Sequence, residues 1–190
     1  MSALCGAIIL AAGQSRRMGF NKLLAEYRGK PMVAHVADAI ETAGLPAIAV
    51  LGHQEQETRA ALAGRQIGFV LADHHAEGMG HSVAAGIKAV PSEWQAAIVC
   101  LGDMPLIAPD LLRQLAERAA PSALVIPTFN GRRGNPVLWG RDHFDKLATL
   151  HGDVGARTLF EPLAAQLSQL PWHDDTVVRD FDEPSSLLSI

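Results

Sequence analysis

Cysteine is scarce in this sequence, and the scarcity limits the kinds of site that the chain can build. Only Cys5 and Cys100 occur, each within an apolar run, and their separation matches no metal-ligand spacing. Two isolated cysteines also argue against a disulfide framework. The sequence therefore predicts a reducing compartment, and we expect the cytoplasm.

A basic excess and a membrane-spanning segment are missing as well. The chain has 16 lysine and arginine residues against 20 aspartate and glutamate residues, a net charge of −4, whereas proteins that hold a nucleic-acid backbone are usually basic. The apolar run at 4–12 is too short to span a bilayer. Arg16 and Arg17 follow it, the reverse of the order in an export signal. We therefore expect neither a nucleic-acid nor a membrane partner.

Short apolar runs alternate with amphipathic stretches along the chain. The continuously apolar runs predict strands buried on both faces, at 6–11, 47–51, 67–71, 97–101 and 123–126. Helical patterns occur at 31–43, 54–62, 81–89 and 109–119. This alternation predicts an α/β fold with a doubly wound, mostly parallel, Rossmann-like sheet, in one domain over residues 1–190.

The pattern changes after Pro127, where a loop or ribbon is predicted at 129–139. Two helices are expected at 141–150 and 156–165, and a late strand at 176–181. We interpret this C-terminal part as a substrate-binding elaboration of the same domain.

The most informative segment is the glycine-rich turn after the first strand, LAAGQSRRMGFNK at residues 10–22. Ala11, Ala12 and Gly13 are small enough for the backbone to approach a ligand, and exposed N–H groups in such a turn can bind phosphate oxygens. Arg17 and Lys22 add cations that would neutralise a triphosphate. Taken alone, the segment also fits a simple glycine turn with a solvated basic face.

Aspartates follow two other predicted strands. Asp103, in LGDMP, comes after the 97–101 run, at the edge where open α/β sheets bind ligands. A carboxylate there is an expected magnesium ligand, although it also fits a turn or helix cap. Asp180 and Asp182, in VVRDFDEP, alternate with apolar residues and so project from one face of an extended segment.

Three further segments carry glycines or charges. They are GMGHS at 78–82, GRRGNPV at 131–137 and GDVGAR at 152–157. Arg132 and Arg133 could hold an anion bidentately, or lie at the tip of a basic hairpin. Asp153 could be an ordinary helix cap.

Together these segments resemble the molybdenum cofactor cytidylyltransferases, the MobA- and MocA-like NTP transferases, whose first loop reads LAAGxSxRMGxxK. The resemblance extends to GDMP, GMGxS, GRRGNP and GDxGAR, and is partial at VVRDFDEP. It implies a magnesium- or manganese-dependent enzyme with catalytic Lys22, Arg17 and Asp103, and with Asp103 and Asp182 as metal ligands. The implied nucleotide contacts are Leu10, Ala11, Ala12, Gly13, Ser15, Arg17, Lys22, Gly80, Ser82 and Gly102. The implied acceptor contacts are Arg132, Arg133, Asn135, Asp153 and Arg157.

The related guanylyltransferases have a second glycine where this chain has Ala12. A methyl group there would crowd a purine more than a pyrimidine, which favours CTP. The expected reaction transfers CMP from CTP to molybdenum-loaded molybdopterin, with a molybdoenzyme as a candidate recipient of the product. Two alternatives stay open: a different phosphorylated acceptor such as a sugar phosphate, and a non-catalytic protein that binds or delivers the nucleotide or cofactor.

Overall fold

Most of the predicted strands lie side by side in one large sheet. A computed structural model of the chain describes residues 4–13 and 20–179. The strands are β1 Cys5–Ala11, β2 Glu26–Tyr27, β3 Lys30–Pro31, β4 Ala47–Leu51, β5 Ile67–Leu71, β6 Ala96–Leu101, β7 Leu124–Phe129, β8 Arg132–Arg133, β9 Val137–Gly140 and β10 Leu167–Pro171. The helices are α1 Met32–Thr42, α2 Glu55–Ala61, α3 Met79–Lys88, α4 Pro109–Ala116 and α5 Phe144–Ala148.

The order of strands in the sheet is β10-β7-β9-β6-β1-β4-β5, and β8 pairs with the outer part of β7. Strands β1, β4, β5 and β6 are mutually parallel, and β10 is parallel to β7. Strand β9 is antiparallel to both of its neighbours, β6 and β7. Because β6 and β7 both oppose β9, they run in the same direction, and their carboxyl ends lie at the same edge of the sheet.

Both faces of the sheet are covered. Ala7 and Ile9 of β1 belong to one buried cluster, which they share with α1 and α4. Ile8, between them, belongs to a second cluster with residues of α3 and α5. Successive side chains of a strand point to opposite faces, so this division explains why β1 is apolar throughout. The predicted doubly wound, mostly parallel α/β sheet is confirmed.

The C-terminal part differs from the sequence prediction in two places. The helix predicted at 156–165 is a short 3-10 turn, Ala156–Leu159. The strand predicted at 176–181 is wrong over its described residues, 176–179, which begin within the 3-10 turn Asp175–Val177. The Asp174 carboxylate accepts a hydrogen bond from the Thr176 amide at 3.0 Å, and a local bond of this kind competes with strand pairing.

Two strands of the large sheet were not predicted as strands. Strand β10 lies at the sheet edge and exposes Ser168 and Gln169. Strand β9 reads VLWG and is buried throughout, but the glycine, arginine, asparagine and proline residues before it led to the prediction of a loop or ribbon at 129–139. An edge strand needs apolar residues on only one face, so its composition is a weak signal.

The Asp38 carboxylate ties three segments together on the α1 side. It lies 2.6 Å from the Arg65 guanidinium, before β5, and also pairs with Lys30 of β3. Partial burial opposes ionisation, but hydrogen bonds and charge from these two cations outweigh it and lower the pKa of Asp38. The carboxylate is therefore charged in the folded protein at neutral pH.

Candidate active site

The candidate site begins where β1 and β6 end. These strands are adjacent and parallel, with Leu10 opposite Leu101. The Gly102 amide then donates a hydrogen bond to the Leu10 carbonyl oxygen at 3.0 Å. As a result, the exposed Gly13 after β1 and the turn at Asp103 after β6 lie at the same carboxyl edge of the sheet. Ligands of open α/β sheets bind at this edge.

Gly102 is required by close packing. A Cβ atom at this position would lie 2.8 Å from the Leu10 carbonyl oxygen and 3.1 Å from the Leu23 side chain. The backbone of Leu10 cannot retreat without breaking the β1–β6 pairing. Gly102 therefore lets the chain turn closely past β1 and present Asp103 beside it.

Lys22 and Asp103 meet at this edge. The Lys22 ammonium lies 2.8 Å from an Asp103 carboxylate oxygen, and the side chains are 7% and 32% exposed. Lys22 opens the 3-10 turn Lys22–Leu24. The predicted catalytic pair is thus brought together, with a buried cation held against a partly accessible carboxylate.

Sequence analysis missed the residue that shapes the Lys22 turn. The Asn21 side-chain oxygen accepts a hydrogen bond from the Leu23 amide at 3.1 Å, which caps the turn. Its side-chain nitrogen is buried and has no hydrogen-bond partner among the described residues. An asparagine directly before a helical turn is a typical capping signal and could have identified it.

Ala12 lies between β1 and the segment that follows β4. It is 2% exposed, and a Cβ on Gly52 would lie 2.8 Å from its methyl carbon and 2.5 Å from the His75 ring. The methyl group therefore packs against neighbouring protein segments. The preference for a pyrimidine that was inferred from this methyl stays a prediction.

The segment at 78–82 lies against the segment at 150–157. The Gly80 amide donates a hydrogen bond to the Gly152 carbonyl oxygen at 2.9 Å. Ser82, in the first turns of α3, is buried. Asp153 and Arg157, by contrast, are exposed. Gly80, one of the residues predicted for the nucleotide, is therefore in contact with the 152–157 segment predicted for the acceptor.

Arg132 and Arg133 belong to a tight hairpin between β7 and β8. Asn130 and Gly131, with φ of 49° and 75°, form its two-residue turn, a combination typical of type I′ hairpins. Both arginines are exposed. Neighbouring residues of a strand point to opposite faces, and the Arg133 guanidinium lies 5.9 Å from the centre of the Phe160 ring. The two side chains therefore do not form a single clamp from one face.

Asn135 follows this hairpin and fixes its base. The Asn135 amide donates a hydrogen bond to the Val177 carbonyl oxygen at 2.8 Å, and the peptide bond to Pro136 is cis. Gly134 passes so close that a Cβ would lie 2.2 Å from that same carbonyl oxygen. The hairpin is thereby held at the carboxyl end of β7, the edge that carries Asp103.

Three predicted site residues, Ser15, Arg17 and Asp182, lie outside the described residues. Within residues 4–13 and 20–179, no group of three or more histidine, cysteine, aspartate or glutamate residues is placed to hold a metal ion. In the same ranges, no helix has the length and apolar character needed to cross a bilayer.

The sequence matches the MobA-like NTP transferase domain over residues 7–170. This match covers most of the 190 residues. The chain belongs to the MobA-like NTP transferase domain family. That family is one of NTP transferase domains.

Curated relatives of this MobA-like domain include longer proteins. The bifunctional protein GlmU of Desulfotalea psychrophila is 31% identical over 179 residues, which cover 92% of this chain and 52% of that protein. The bifunctional protein GlmU of Agrobacterium fabrum is 36% identical over 141 residues, or 71% of this chain and 30% of that protein. The MobA-like domain thus spans about half or less of the curated relatives it matches.

Solved structures match this MobA-like domain along nearly its whole length. A nucleotidyl transferase from Methanothermobacter superposes with a TM-score of 0.84 at 25% identity and covers 97% of this chain and 94% of that one. Rv0371c from Mycobacterium tuberculosis gives a TM-score of 0.84 at 25% identity, covering 98% and 96%. These similarities support the nucleotidyltransferase fold described above.

Proposed function

We propose that this protein transfers CMP from CTP to the terminal phosphate of molybdenum-loaded molybdopterin. The observation that carries the proposal is the 2.8 Å contact between Lys22 and Asp103 at the shared ends of β1 and β6. A cation and an anionic metal ligand at one strand edge suit a polyphosphate with its divalent ion. The motifs GRRGNP and GDVGAR, at the same edge, support a molybdopterin-type acceptor.

The proposed reaction needs little proton transfer. An oxygen of the acceptor phosphate attacks the α-phosphorus of CTP, the bond from that phosphorus to the bridging oxygen breaks, and pyrophosphate leaves with the bonding electrons. A phosphate monoester is already an oxyanion near neutral pH, so no general base is required. Catalysis then depends on positioning and on compensation of the phosphate charge.

The buried Lys22 ammonium would compensate charge on the phosphates, together with Arg17. The backbone at Leu10, Ala11, Ala12, Gly13 and Gly102, and the side chain of Ser15, would surround the triphosphate. Ser82 would lie near the base and ribose. The resemblance implies the same place for Gly80, whose amide bonds to the Gly152 carbonyl oxygen. Of these, Lys22 carries the largest expected effect, because its charge is 7% exposed and therefore poorly screened by water.

Asp103 would hold magnesium or manganese together with Asp182. The metal would offset negative charge on the phosphates. Asp103 fits this role because its carboxylate is 32% exposed and offers hard oxygen ligands at the strand edge. A magnesium ion commonly takes one or two carboxylates and fills its other positions with phosphate oxygens and water, so a cluster of three protein ligands is not required.

The acceptor phosphate would lie near Arg132, Arg133, Asn135, Asp153 and Arg157. The exposed arginines of the hairpin and of the Ala156–Leu159 turn are suited to an anionic acceptor. A molybdoenzyme that takes up the product is the proposed partner, and the cytoplasm is the proposed compartment.

The second candidate is transfer to another phosphorylated acceptor, such as a sugar phosphate. It is favoured by curated relatives at 31% to 36% identity that carry the name GlmU rather than that of a molybdopterin enzyme. A protein that only binds or delivers the nucleotide or cofactor fits less well, because binding alone does not require both Lys22 and Asp103.

The deciding experiment uses CTP labelled at the α-phosphate, with molybdenum-loaded molybdopterin, empty molybdopterin and sugar phosphates as acceptors. We expect label in the molybdopterin product and stoichiometric release of pyrophosphate. Unlabelled ATP, GTP or UTP added as a competitor tests the base preference. Label transfer to a sugar phosphate alone would favour the second candidate, and binding of CTP without transfer to any acceptor would reject both reactions.

A further inference from the structure

The segments at 78–82 and 150–157 are packed more tightly than side chains would allow. A Cβ atom on Gly80 would lie 2.7 to 2.8 Å from backbone atoms of His151. A Cβ on Gly78 would lie 2.1 to 2.4 Å from backbone atoms of Gly152 and Asp153. We call this contact, formed by Gly78 and Gly80 with residues 151–153, the glycine seam.

A hydrogen bond accompanies the close packing. Gly80 is the second residue of α3, so its amide has no carbonyl partner within the helix. The Gly152 carbonyl oxygen accepts that hydrogen bond at 2.9 Å. The resemblance implies a nucleotide contact for Gly80, yet the donor of Gly80 is already directed to the 150–157 segment.

We propose that Gly80 is a positioning residue for the acceptor: it fixes the 150–157 segment, and with it Asp153 and Arg157, at the rim where the phosphates react. The inference rests on the proposed assignment of that segment to the acceptor. On this inference, position 80 is a glycine because a side chain would clash with the neighbouring backbone. If Gly80 instead served the nucleotide, a side chain would clash with the bound base or ribose.

The substitution Gly80→Ala tests this inference cleanly. Ordinary van der Waals contact begins at 3.4 Å, so a methyl group at 2.7 Å requires the His151 backbone to move by about 0.7 Å. Gly80 has an ordinary helical backbone, unlike Gly78 with its φ of 131°, so alanine adds no backbone strain there. Alanine also favours a helix over glycine by about 1 kcal/mol, so α3 itself should not weaken.

The matched control is Gly68→Ala, on the exposed face of the edge strand β5. A Cβ there would lie 3.6 and 3.7 Å from its nearest neighbours, which is ordinary contact. It therefore introduces the same methyl group without a clash, far from the carboxyl edge of the sheet.

The kinetic result separates the two roles of position 80. A displacement approaching 1 Å can reduce a rate by about a hundredfold. We therefore expect Gly80→Ala to lower kcat/KM for the acceptor by at least about tenfold, through a lower kcat, a raised acceptor KM or both, while the KM for the nucleotide changes by less than about twofold. A raised nucleotide KM with an unchanged acceptor KM would overturn the inference.

Hydrogen exchange gives a readout that needs no enzymatic activity. The amide at position 80 should exchange at least about tenfold faster in Gly80→Ala than in Gly68→Ala, because loss of the bond to Gly152 opens it to water. If the amide at position 80 stays equally protected from exchange in Gly80→Ala, the inference that the glycine seam positions the 150–157 segment is wrong. If the amide at position 80 exchanges faster in Gly80→Ala but the wild type transfers label to no acceptor, the proposed function is rejected. The inference that Gly80 holds the 150–157 segment in place then still stands.

Discussion

Replacement of Lys22 by methionine isolates the charge at the centre of the candidate site. Methionine keeps an unbranched side chain of similar length, so it fills the same buried space without the ammonium. We expect Lys22→Met to remain folded and to lose nucleotidyl transfer, because the proposed role of Lys22 is to compensate phosphate charge and the substitution removes that charge while it leaves the backbone of the turn unchanged.

The expected loss of transfer rate in Lys22→Met is larger than the expected loss of folding stability. Removing one buried group that stabilises transition-state charge lowers the rate by about 10² to 10³, or about 3 to 4 kcal/mol. The cost to folding is smaller, about 1 to 2 kcal/mol, because the Asp103 carboxylate left behind is 32% exposed and can be hydrated. For a domain of this size that loss lowers Tm by roughly 2 to 8 °C.

The assay compares pyrophosphate release and thermal unfolding for the wild type, Lys22→Met and Lys88→Met. Lys88 is exposed at the end of α3 and outside the predicted site, so its variant should keep the wild-type rate. A marginally stable protein of about 5 kcal/mol would still be more than about 99% folded after losing 2 kcal/mol. A Lys22→Met rate within about threefold of wild type would therefore refute the assigned role.

Three other variants or conditions test separate parts of the structure. Asp103→Asn should abolish transfer. It should also lower Tm more than Lys22→Met does, because the Lys22 ammonium, which is only 7% exposed, loses the Asp103 carboxylate. An equal or smaller loss of Tm would contradict this expectation. Asp38→Asn should lower the free energy of unfolding at pH 7. Because the pKa of Asp38 is lower in the folded protein, the wild type should be the more stable of the two above the usual aspartate pKa, about 3.9, and this difference should disappear as pH falls through the lowered pKa. Urea unfolding of both proteins between pH 7 and 2 would show whether the difference in free energy of unfolding disappears. Burial raises the pKa of Cys5 to about 12 and also raises the pKa of Cys100, so iodoacetamide at pH 8 should label neither thiol until the protein is unfolded, and rapid labelling of the native protein would contradict their burial.

Much of the sheet could be predicted because its signal is local. The runs at 47–51 and 67–71 became strands with the predicted bounds. The first is buried over most of its length, as a continuous apolar run predicts, whereas the second lies at the sheet edge and exposes Gly68 and Leu71. The C-terminal part was less predictable. Strand β10 is an edge strand with exposed polar residues, and the side chain of Asp174 turned the start of the expected late strand into a 3-10 turn.

The candidate site divides in the same way. That Gly13 and Asp103 lie at one edge was predictable, because each closely follows a parallel strand and such strands end at the same edge. Lys22 lies well beyond the end of β1, so the strand ends alone did not determine its contact with Asp103. The cap supplied by Asn21 also has a local signal, because an asparagine directly before a helical turn is a typical capping residue. No local pattern could have indicated that Gly80 meets Gly152, which lies 72 positions later in the sequence and reaches it only through β6, β7, β9 and α5.

The sequence by itself determined the kind of fold, the edge of the sheet at which the candidate site lies and the residue types available there. These follow from hydrophobic periodicity and from the chemistry of short motifs, and both are local properties of the chain. Only the tertiary structure decided which segments touch: that the Ala12 methyl lies close to Gly52, that neighbouring arginines of β8 diverge, and that two glycines admit the backbone at 151–153. Contacts of this kind depend on distances between segments remote in sequence, and the path of the whole chain sets those distances.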